Sequence, residues 1–335
     1  MLQPPVTIPI AFVQGMLSGL QARGKSCDAL LEEAGIALEL LQQPGARVTA
    51  DQYATLFRLL IDRLDDEGLG FLSRPLRSGS LALIARAAIS AATLEVALRR
   101  IAHTFGLLQD DIVLEAVSER GWAGVALRFT NASATHPVFL HELLLRVFWR
   151  LLAWVAGGHL TAERFDFAFE CPPHASSYSK VFPAPLQFDR RQSAFWFDAA
   201  QLQNPVRRNE AALRAFLADA QTYVILPRRN DYTVSARVRN QLQQARPAWP
   251  DLDVAAASMH MSTSTLQRRL ASEGTSFQSL KDSLRRDVAI VRLNTSAVPL
   301  ATLASELGFA DSAAFQRAFK GWTGSAPGAY RRGAL

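Results

Sequence analysis

The clearest pattern of hydrophobic and polar positions lies near the C-terminal end of the chain. After Gly308 and Asp311, apolar residues recur every three or four positions, which predicts an amphipathic helix. The Asp311 carboxylate can cap its first turn, and Gly308 suits the left-handed turn that ends the preceding helix. The apolar stripe that we expect in the core consists of Ala314, Phe315, Ala318, Phe319 and Trp322. The opposite face carries small residues, one amide and two cations, and such a face can enter a DNA groove.

The remainder of the C-terminal third is also predicted to be helical. Apolar periodicity predicts helices at 234–244, 254–259, 263–273, 277–293 and 300–307, with Asp253, Ser262 and Ser276 as candidate caps. Two helix-turn-helix motifs follow from this pattern, with turns at 259–262 and 308–311. The helix 277–293 joins them and would span about 25 Å. Because adjacent major grooves on one DNA face lie roughly 34 Å apart, two recognition helices held in this way can read successive grooves.

The charge is distributed unevenly along the chain. The formal net charge of the 335 residues is +6. Residues 233–335 contain 13 Lys and Arg against 7 Asp and Glu, whereas the preceding residues contain 23 of each. All of the excess positive charge therefore lies in the helical third. A basic module joined to a neutral one is typical of proteins that bind polyanions such as nucleic acids.

The N-terminal two thirds show a mixed pattern. Periodicity predicts helices at 8–22, 26–34, 79–91, 93–106, 137–156 and 209–224, and another after Thr49. Alternation of apolar and polar residues predicts a hairpin of 112–117 with 122–129, and further strands at 165–169, 186–188 and 194–197. We therefore expect a multi-domain protein: an α+β domain at residues 1–228 and an all-α domain at 229–335. Residues 228–230 are the candidate linker.

Several classes of protein are disfavoured. No apolar run reaches the roughly 18–20 residues that a membrane span needs, and the first residues lack the basic start of a signal peptide. The two cysteines, Cys27 and Cys171, are far apart and predict no disulfide framework. A cytoplasmic protein that contacts no membrane is the simplest interpretation.

No enzymatic or cofactor site is predicted. Cys171 and His174 offer a thiol and an imidazole three positions apart, but two ligands do not close a zinc site. His103 has a loose likeness to the haem ligand of nitric-oxide sensors, yet the accompanying Tyr-x-Ser-x-Arg motif is missing. Phosphate-binding loops, paired carboxylates and Ser-His-Asp signatures do not stand out. We therefore expect no metal, no cofactor and no catalysis.

The C-terminal third resembles the AraC/XylS family of transcriptional regulators. The stretch 303–331 carries the family signature LASELGFADSAAFQRAFKGWTGSAPGAYR, and 276–293 resembles the family's linker helix. The resemblance implies base contacts from Ser264, Gln267 and Arg268 in the first motif, and from Ser312, Ala313, Gln316 and Arg317 in the second. Lys320 would bind phosphate. The alternative for Arg317 is an ion pair with Glu306 or Asp311.

Residues 8–215 more loosely resemble the arabinose-binding-type effector domain of one AraC subgroup. The matching positions include Pro172, Pro173, Tyr178, Phe182, Pro185, Phe188, Phe195 and Phe197. The resemblance implies that this domain binds a small organic effector and dimerises. His141, Arg146 and Tyr178 are candidate lining residues, and the alternative for each is a purely structural role.

Together these observations predict a sequence-specific regulator of transcription. Its expected partners are double-stranded promoter DNA, an unidentified small organic effector, a second copy of the chain and RNA polymerase. Two other hypotheses remain open at this point. The chain could be a dimeric regulator that needs no effector, or a small-molecule-binding or catalytic N-terminal domain with an accessory DNA-binding tail.

Overall fold

The computed structural model describes residues 6–131, 136–158, 160–218 and 233–331. The chain packs as two compact units. The first, called here the helical unit, comprises Met1–Val13, Leu31–Tyr53 and Arg229–Leu335. The second, the sheet unit, comprises Gln14–Leu30 and Ala54–Arg228.

The elements of the described residues follow in chain order. The α-helices are α1 (Ile10–Gln21), α2 (Asp28–Glu33), α3 (Ala50–Leu64), α4 (Ser80–Ile89), α5 (Leu94–Leu108), α6 (Val138–Val155), α7 (Glu210–Ala218), α8 (Val234–Gln244), α9 (Leu252–Ser258), α10 (Thr263–Ser272), α11 (Phe277–Thr295), α12 (Leu300–Glu306), α13 (Ser312–Thr323) and α14 (Pro327–Arg331). The strands are β1 (Thr7–Pro9), β2 (Arg47–Thr49), β3 (Ile112–Glu119), β4 (Trp122–Phe129), β5 (Arg164–Asp166), β6 (Leu186–Gln187) and β7 (Ser193–Asp198). Short 3₁₀ helices lie at Leu38–Gln42, Ala175–Lys180 and Ala199–Gln203.

A five-stranded sheet in the order β3-β4-β7-β5-β6 forms the centre of the sheet unit. Strands β3 and β4 form the predicted hairpin, in which Ile112 pairs with Phe129. Its two-residue turn places Arg120 and Gly121 at φ of 47° and 88°. Positive φ at both turn positions matches the twist of the flanking strands. The other neighbours are antiparallel except for β5 and β6, which are parallel.

Helix α6 is the most buried of the described helices of the sheet unit. Almost every residue between Phe139 and Val155 is inaccessible to solvent. A helix that is apolar on all sides must be enclosed by other elements, as α6 is. Three charged residues of this helix, Glu142, Arg146 and Arg150, are nevertheless buried. Buried charged residues are normally paired, so they mark polar contacts inside the unit.

The helical unit contains α8–α14 together with the strand pair β1–β2. Strands β1 and β2 are antiparallel, and Ile8 pairs with Val48. The core of the C-terminal helices includes Leu266, Leu284, Phe315 and Phe319, each fully buried. The predicted fold class is confirmed: an N-terminal α+β region precedes an all-helical region with two helix-turn-helix motifs joined by a long helix.

Some predictions about local structure were wrong. Residues 8 and 9 were assigned to a helix but belong to β1, and β2 was not predicted. Asp251, not Asp253, occupies the cap position of α9. The last part of the predicted helix 209–224 and the candidate linker 228–230 lie outside the described residues. None of the described helices is both long and apolar enough to cross a membrane.

The sequence predicted one domain boundary, between residues 228 and 229. In the structure, each compact unit instead consists of more than one segment of the chain. Met1–Val13 and Leu31–Tyr53 belong to the same unit as the C-terminal helices. The assignment of 1–228 and 229–335 to separate domains remains a prediction, and the N-terminal strands have a structural role that it did not anticipate.

Candidate nucleic-acid interface

The first helix-turn-helix motif consists of α9 and α10. Between them, the backbone N–H of Met261 donates to the carbonyl of Ala256 at 3.0 Å, and His260 adopts a φ of 55°. The Ser262 side chain caps α10 by accepting from the N–H of Thr265 at 3.2 Å, as predicted. Leu266 and Leu270 then fix the buried side of α10.

Burial on one side leaves the other side of α10 exposed. Ser264, Gln267 and Arg268 are all exposed, and so is Arg269. The Ser264 hydroxyl lies 3.1 Å from that of Ser262, at the first turn. This exposed face combines an amide, hydroxyls and two cations, which are the groups that bind base edges and phosphates.

The second motif consists of α12 and α13. Gly308 ends α12 with a φ of 73°, and the Asp311 carboxylate caps α13 by accepting from the N–H of Ala314 at 2.7 Å. Phe315 and Phe319 are fully buried, whereas Trp322 is only half-buried. The predicted cap and helix end are confirmed, but only Phe315 and Phe319 of the predicted core stripe are buried, because Ala314 and Ala318 are half-buried like Trp322.

The polar face of α13 carries the predicted contact residues. Ala313, Gln316, Arg317 and Lys320 are exposed, and Ser312 is half-buried in the first turn. Small residues at the start of the helix let its backbone approach a groove closely, while the longer side chains follow one and two turns later.

The carboxylates proposed as alternative partners of Arg317 are engaged elsewhere. Glu306 accepts from Arg292 at 3.0 Å, and Asp311 caps α13. Arg317 itself is exposed. These contacts favour a guanidinium that is available to an external anion or base.

The helix between the motifs, α11, bears a buried charge cluster that the sequence did not reveal. Asp287 is 1% exposed and accepts from Arg239 at 2.5 Å, from Arg286 at 3.3 Å and from the Thr7 hydroxyl at 2.5 Å. Arg47 donates to the hydroxyl and to the carbonyl of Thr7, both at 2.7 Å. We call these five residues the Asp287 network.

The strand pair β1–β2 is thereby joined to the C-terminal helices. The backbone N–H of Arg47 donates to the hydroxyl of Tyr330 at 3.2 Å. Burial, reinforced by Arg286, lowers the pKa of Arg47 to about 10, so its guanidinium is still charged at neutral pH. The Gln52 amide donates to the Asn294 side chain at 2.9 Å. The helix that separates the two motifs is thus bonded to N-terminal residues at two positions in its second half, Asp287 and Asn294.

The predicted effector-lining residues His141, Arg146 and Tyr178 all lie in the sheet unit, where His141 and Tyr178 bond to different partners. His141 Nδ1 lies 2.8 Å from the Ser193 hydroxyl, and its ring packs 4.7 Å from that of Phe129. Arg146 is buried on the same helix, α6. Tyr178 is fully buried and donates to the Glu142 carboxylate.

Glu142 is the residue of this region that sequence reasoning missed. Besides Tyr178, it contacts His174, whose Nε2 lies 2.9 Å away. Burial and the adjacent Glu142 raise the pKa of Tyr178. A carboxylate inside an otherwise apolar helix was the available signal, because buried acids are normally paired. Within the described ranges, no group of three or more His, Cys, Asp or Glu is arranged to hold a metal ion.

Comparison with known families identifies both regions. Residues 24–206 match the arabinose-binding domain of AraC transcription regulators, and residues 255–333 match a helix-turn-helix domain. The first match alone covers more than half of the chain. The chain belongs to the AraC family of transcription regulators.

Known AraC-family proteins are similar to it over long stretches. The chain is 29% identical over 328 residues to the ornithine utilization regulator of Pseudomonas aeruginosa, which covers 97% of this chain and 96% of the relative. It is 25% identical over 268 residues to the transcriptional regulator VirS of Mycobacterium tuberculosis, covering 79% and 76% of the two chains. The crystal structure of the regulator CdpR from Pseudomonas aeruginosa aligns over 99% of both chains, with 19% identity and a TM-score of 0.34.

The AraC-family effector domain should lose stability in acid because His141 is buried. Burial, with a smaller effect of His136, lowers the pKa of His141 to about 4, whereas an exposed histidine titrates near 6.5. Below about pH 6.5 the unfolded chain therefore binds a proton that the folded chain does not. The stability that the neutral, buried His141 contributes is fully present above that pH. It is lost as the pH falls towards 4, and the free energy of unfolding decreases by about 3 kcal/mol in total. Urea unfolding between pH 7 and pH 4.5 measures it.

Two variants separate this effect from general acid sensitivity. His141→Gln keeps a side chain that can bond the Ser193 hydroxyl and should flatten the dependence on pH. His103→Gln removes an exposed histidine of the same unit and should leave the dependence unchanged. If His141→Gln retained the full pH dependence, other groups would be responsible for the loss.

Proposed function

We propose that the chain binds promoter DNA with α10 and α13 in successive major grooves, and that a small organic effector bound by the N-terminal domain controls this binding. The observation that carries the first part is the matched pair of capped helices, each buried on one side and polar on the other. Helix α11, with 19 residues, is about 28 Å long, close to the roughly 34 Å between successive grooves.

Residue roles follow from position and chemistry. We assign base contacts to the polar face of each recognition helix: Ser264, Gln267 and Arg268 on α10, and Ser312, Ala313, Gln316 and Arg317 on α13. Amide and guanidinium groups can form paired hydrogen bonds with purines, and the Ala313 methyl can contact thymine. Lys320 is assigned to phosphate, which fixes the register of the helix without reading sequence.

The effector is proposed to bind in the sheet unit. Support comes from the polar groups buried in and beside α6, namely Glu142, Arg146 and Tyr178, since effector sites combine apolar walls with a few oriented polar groups. We propose His141 as a further lining residue. The similarity to a regulator of ornithine utilization makes ornithine the first compound to test.

We propose that the Asp287 network, which lies within the helical unit, is the part of that unit that responds to the effector. Strand β1 leads directly into α1 and β2 leads directly into α3, and the later residues of both helices belong to the sheet unit. The strands begin at Thr7 and Arg47, which are members of the network. Thr7 donates to Asp287 on α11, and Arg47 donates to Thr7. A shift of either helix would therefore change contacts on the element that spaces the two recognition helices.

The remaining parts of the proposal concern assembly and location. We propose that the regulator acts in the cytoplasm as a homodimer and contacts RNA polymerase when bound at a promoter. It is assigned no catalytic step. Analytical ultracentrifugation with and without DNA tests the dimer.

A footprint on the DNA upstream of the gene and its neighbours tests the central proposal. We expect protection of two successive major grooves on one face, and a change in affinity or protected length when the effector is added. Ornithine, other amino acids, fatty acids and aromatic acids form the initial panel. No specific protection at moderate salt would contradict the DNA assignment. Protection that no compound changes would favour a regulator that needs no effector.

Arg317→Ala should weaken specific DNA binding by about 1–3 kcal/mol, or roughly 5- to 150-fold, if the guanidinium makes a paired contact with a base. The reason is that Arg317 is exposed on the polar face of α13 and neither nearby carboxylate is available to it. Gel-shift titration with operator and with scrambled DNA measures the change. Discrimination at one base position should fall together with affinity.

Arg214→Ala is the matched control, because it removes an exposed arginine from α7 in the sheet unit. Its affinity for the operator should stay at the wild-type value. Equal affinity of Arg317→Ala and wild type would remove Arg317 from the interface.

A further inference from the structure

Trp249 occupies an unusual position in the helical unit. It lies between α8 and α9 with a φ of 48° and is 4% exposed. A bulky residue with positive φ is uncommon and costs conformational energy, so it persists only where its surroundings hold it in place. The contacts of its indole therefore indicate what this conformation achieves.

The indole of Trp249 stacks on a cation from the linker helix. The Arg285 guanidinium carbon lies 5.1 Å from the centre of the Trp249 ring and also 5.1 Å from that of Phe309. One arginine of α11 is thus in cation–π contact with two aromatic rings, one from the loop that leads into the first motif and one from the turn of the second. We call these three residues the Trp249 stack.

The stack is bonded directly to the second motif. The indole N–H of Trp249 donates to the carbonyl of Glu306, the last residue of α12, at 2.8 Å. A Cβ on Gly308 would lie only 3.0 Å from Trp249 Cδ1, so a side chain there would push the indole by a few tenths of an ångström. Phe309 in turn contacts Phe315 on α13, with ring centres 5.8 Å apart.

At its other end, the stack lies at the entry to the first motif. Asp251, the cap residue of α9, follows Trp249 by two positions. Lys281 of α11 donates to the carbonyl of Pro250 at 3.2 Å and fixes the same loop. The contacts therefore run from the start of the first motif, through α11, to the recognition helix of the second.

We propose that the Trp249 stack sets the orientation of the two recognition helices and so makes the regulator selective for the spacing between the two grooves that it reads. A linker helix determines the distance along its axis, whereas packing against its sides determines how each motif is rotated about it. Two tethered binding modules gain affinity only if both reach their sites together. A stack that holds both motifs would make this gain depend strongly on spacing.

The inference rests on the proposed binding of two successive grooves, and the experiment tests the two separately. The probes are duplexes that contain the footprinted site, the same site with one or two base pairs inserted between the protected grooves, and a single groove site. Each inserted base pair moves one half by about 3.4 Å and rotates it by about 35°. Affinities are measured for the full-length wild type and for Trp249→Ala.

For the wild type we expect that insertion of one base pair lowers affinity by at least about tenfold, because the second helix no longer reaches its groove. Trp249→Ala should bind the intact site less tightly, and its penalty for insertion should fall below about threefold. Its affinity for a single groove site should stay within about twofold of wild type, because neither recognition face is changed.

Further variants guard against simple misfolding. Arg285→Met keeps the aliphatic stem between the rings but removes the guanidinium, and should reduce the insertion penalty in the same direction. Trp249→Phe keeps a ring but loses the bond to Glu306. Arg208→Met removes a cation–π contact with Trp154 in the sheet unit, 5.1 Å to the ring centre, and should leave the penalty unchanged. Affinity for a single groove site reports whether each variant is folded.

The outcomes are distinct. A reduced insertion penalty with retained single-site affinity supports the inference. A wild-type penalty in both Trp249→Ala and Arg285→Met overturns it, as does an equal loss of affinity on single and paired sites. A wild-type footprint confined to one groove would instead overturn the two-groove proposal on which the inference depends.

Discussion

Replacing Asp287 with alanine should lower the free energy of unfolding of the helical unit by about 3–5 kcal/mol, because it removes the buried counter-charge of a cluster of largely buried cations. Asp287 is 1% exposed and accepts hydrogen bonds from Arg239, Arg286 and Thr7. Removal of its carboxylate leaves the largely buried guanidinium groups of Arg239 and Arg286, each 18% exposed, without this acceptor. Hydrogen exchange of amides in α11 and α13 measures the loss, since it reports the stability of one unit of a two-unit chain.

Asp282→Ala is the matched control on the same helix. Its side chain is about one third exposed, and its nearest ion pair, with Arg285, is 4.0 Å long. An ion pair this long, with a carboxylate that is open to solvent, contributes less than about 1 kcal/mol. A double variant, Asp287→Ala with Arg239→Met, should regain part of the stability, because an apolar pair lacks the uncompensated charge. Similar small losses for Asp287→Ala and Asp282→Ala would contradict a structural role for the network.

The recognition helices could be predicted because their signals are local. Ser262 and Asp311 cap helices that begin one residue later, and Gly308 ends one by its own φ. Each of these devices acts within four residues, so the sequence contains all the information needed. The apolar stripe of α13 then determined which side faces the core.

The Asp287 network could not be predicted for the opposite reason. Thr7 and Asp287 are 280 positions apart, and β1 and β2 have three residues each. Strands this short show no useful alternation, and Asp287 resembles any polar residue on an exposed helix face. Segments that are distant in sequence bury Asp287 and bond to it. Such contacts cannot be read from a single sequence.

The sheet unit shows an intermediate case. His141, Arg146 and Tyr178 were predicted as candidate lining residues of an effector site, and all three are buried. Their partners were not predicted, because the contacts of His141 with Ser193 and of Tyr178 with Glu142 join separate elements. Polar residues in an apolar pattern therefore indicate that partners exist, while the fold decides which ones.

Phe319→Ala should destabilise the helical unit by about 3–5 kcal/mol, because it empties a large volume of its core. Phe319 is fully buried, and its ring packs 5.6 Å from that of Phe315 and edge-on to Tyr330 at 5.1 Å. Aromatic residues near nucleic acid can also stack on bases, but this ring has no exposed surface with which to do so. Hydrogen exchange in α13 and α14 measures the loss of stability.

Gln316→Ala provides the contrast at an exposed position of the same helix. Its side chain is exposed, so stability should change by less than about 0.5 kcal/mol. Operator affinity should fall by about 1–3 kcal/mol if the amide contacts a base. The two variants thus separate the core face of α13 from its reading face. The reverse result, with stability lost in Gln316→Ala and only affinity lost in Phe319→Ala, would mean that α13 presents the wrong face to DNA.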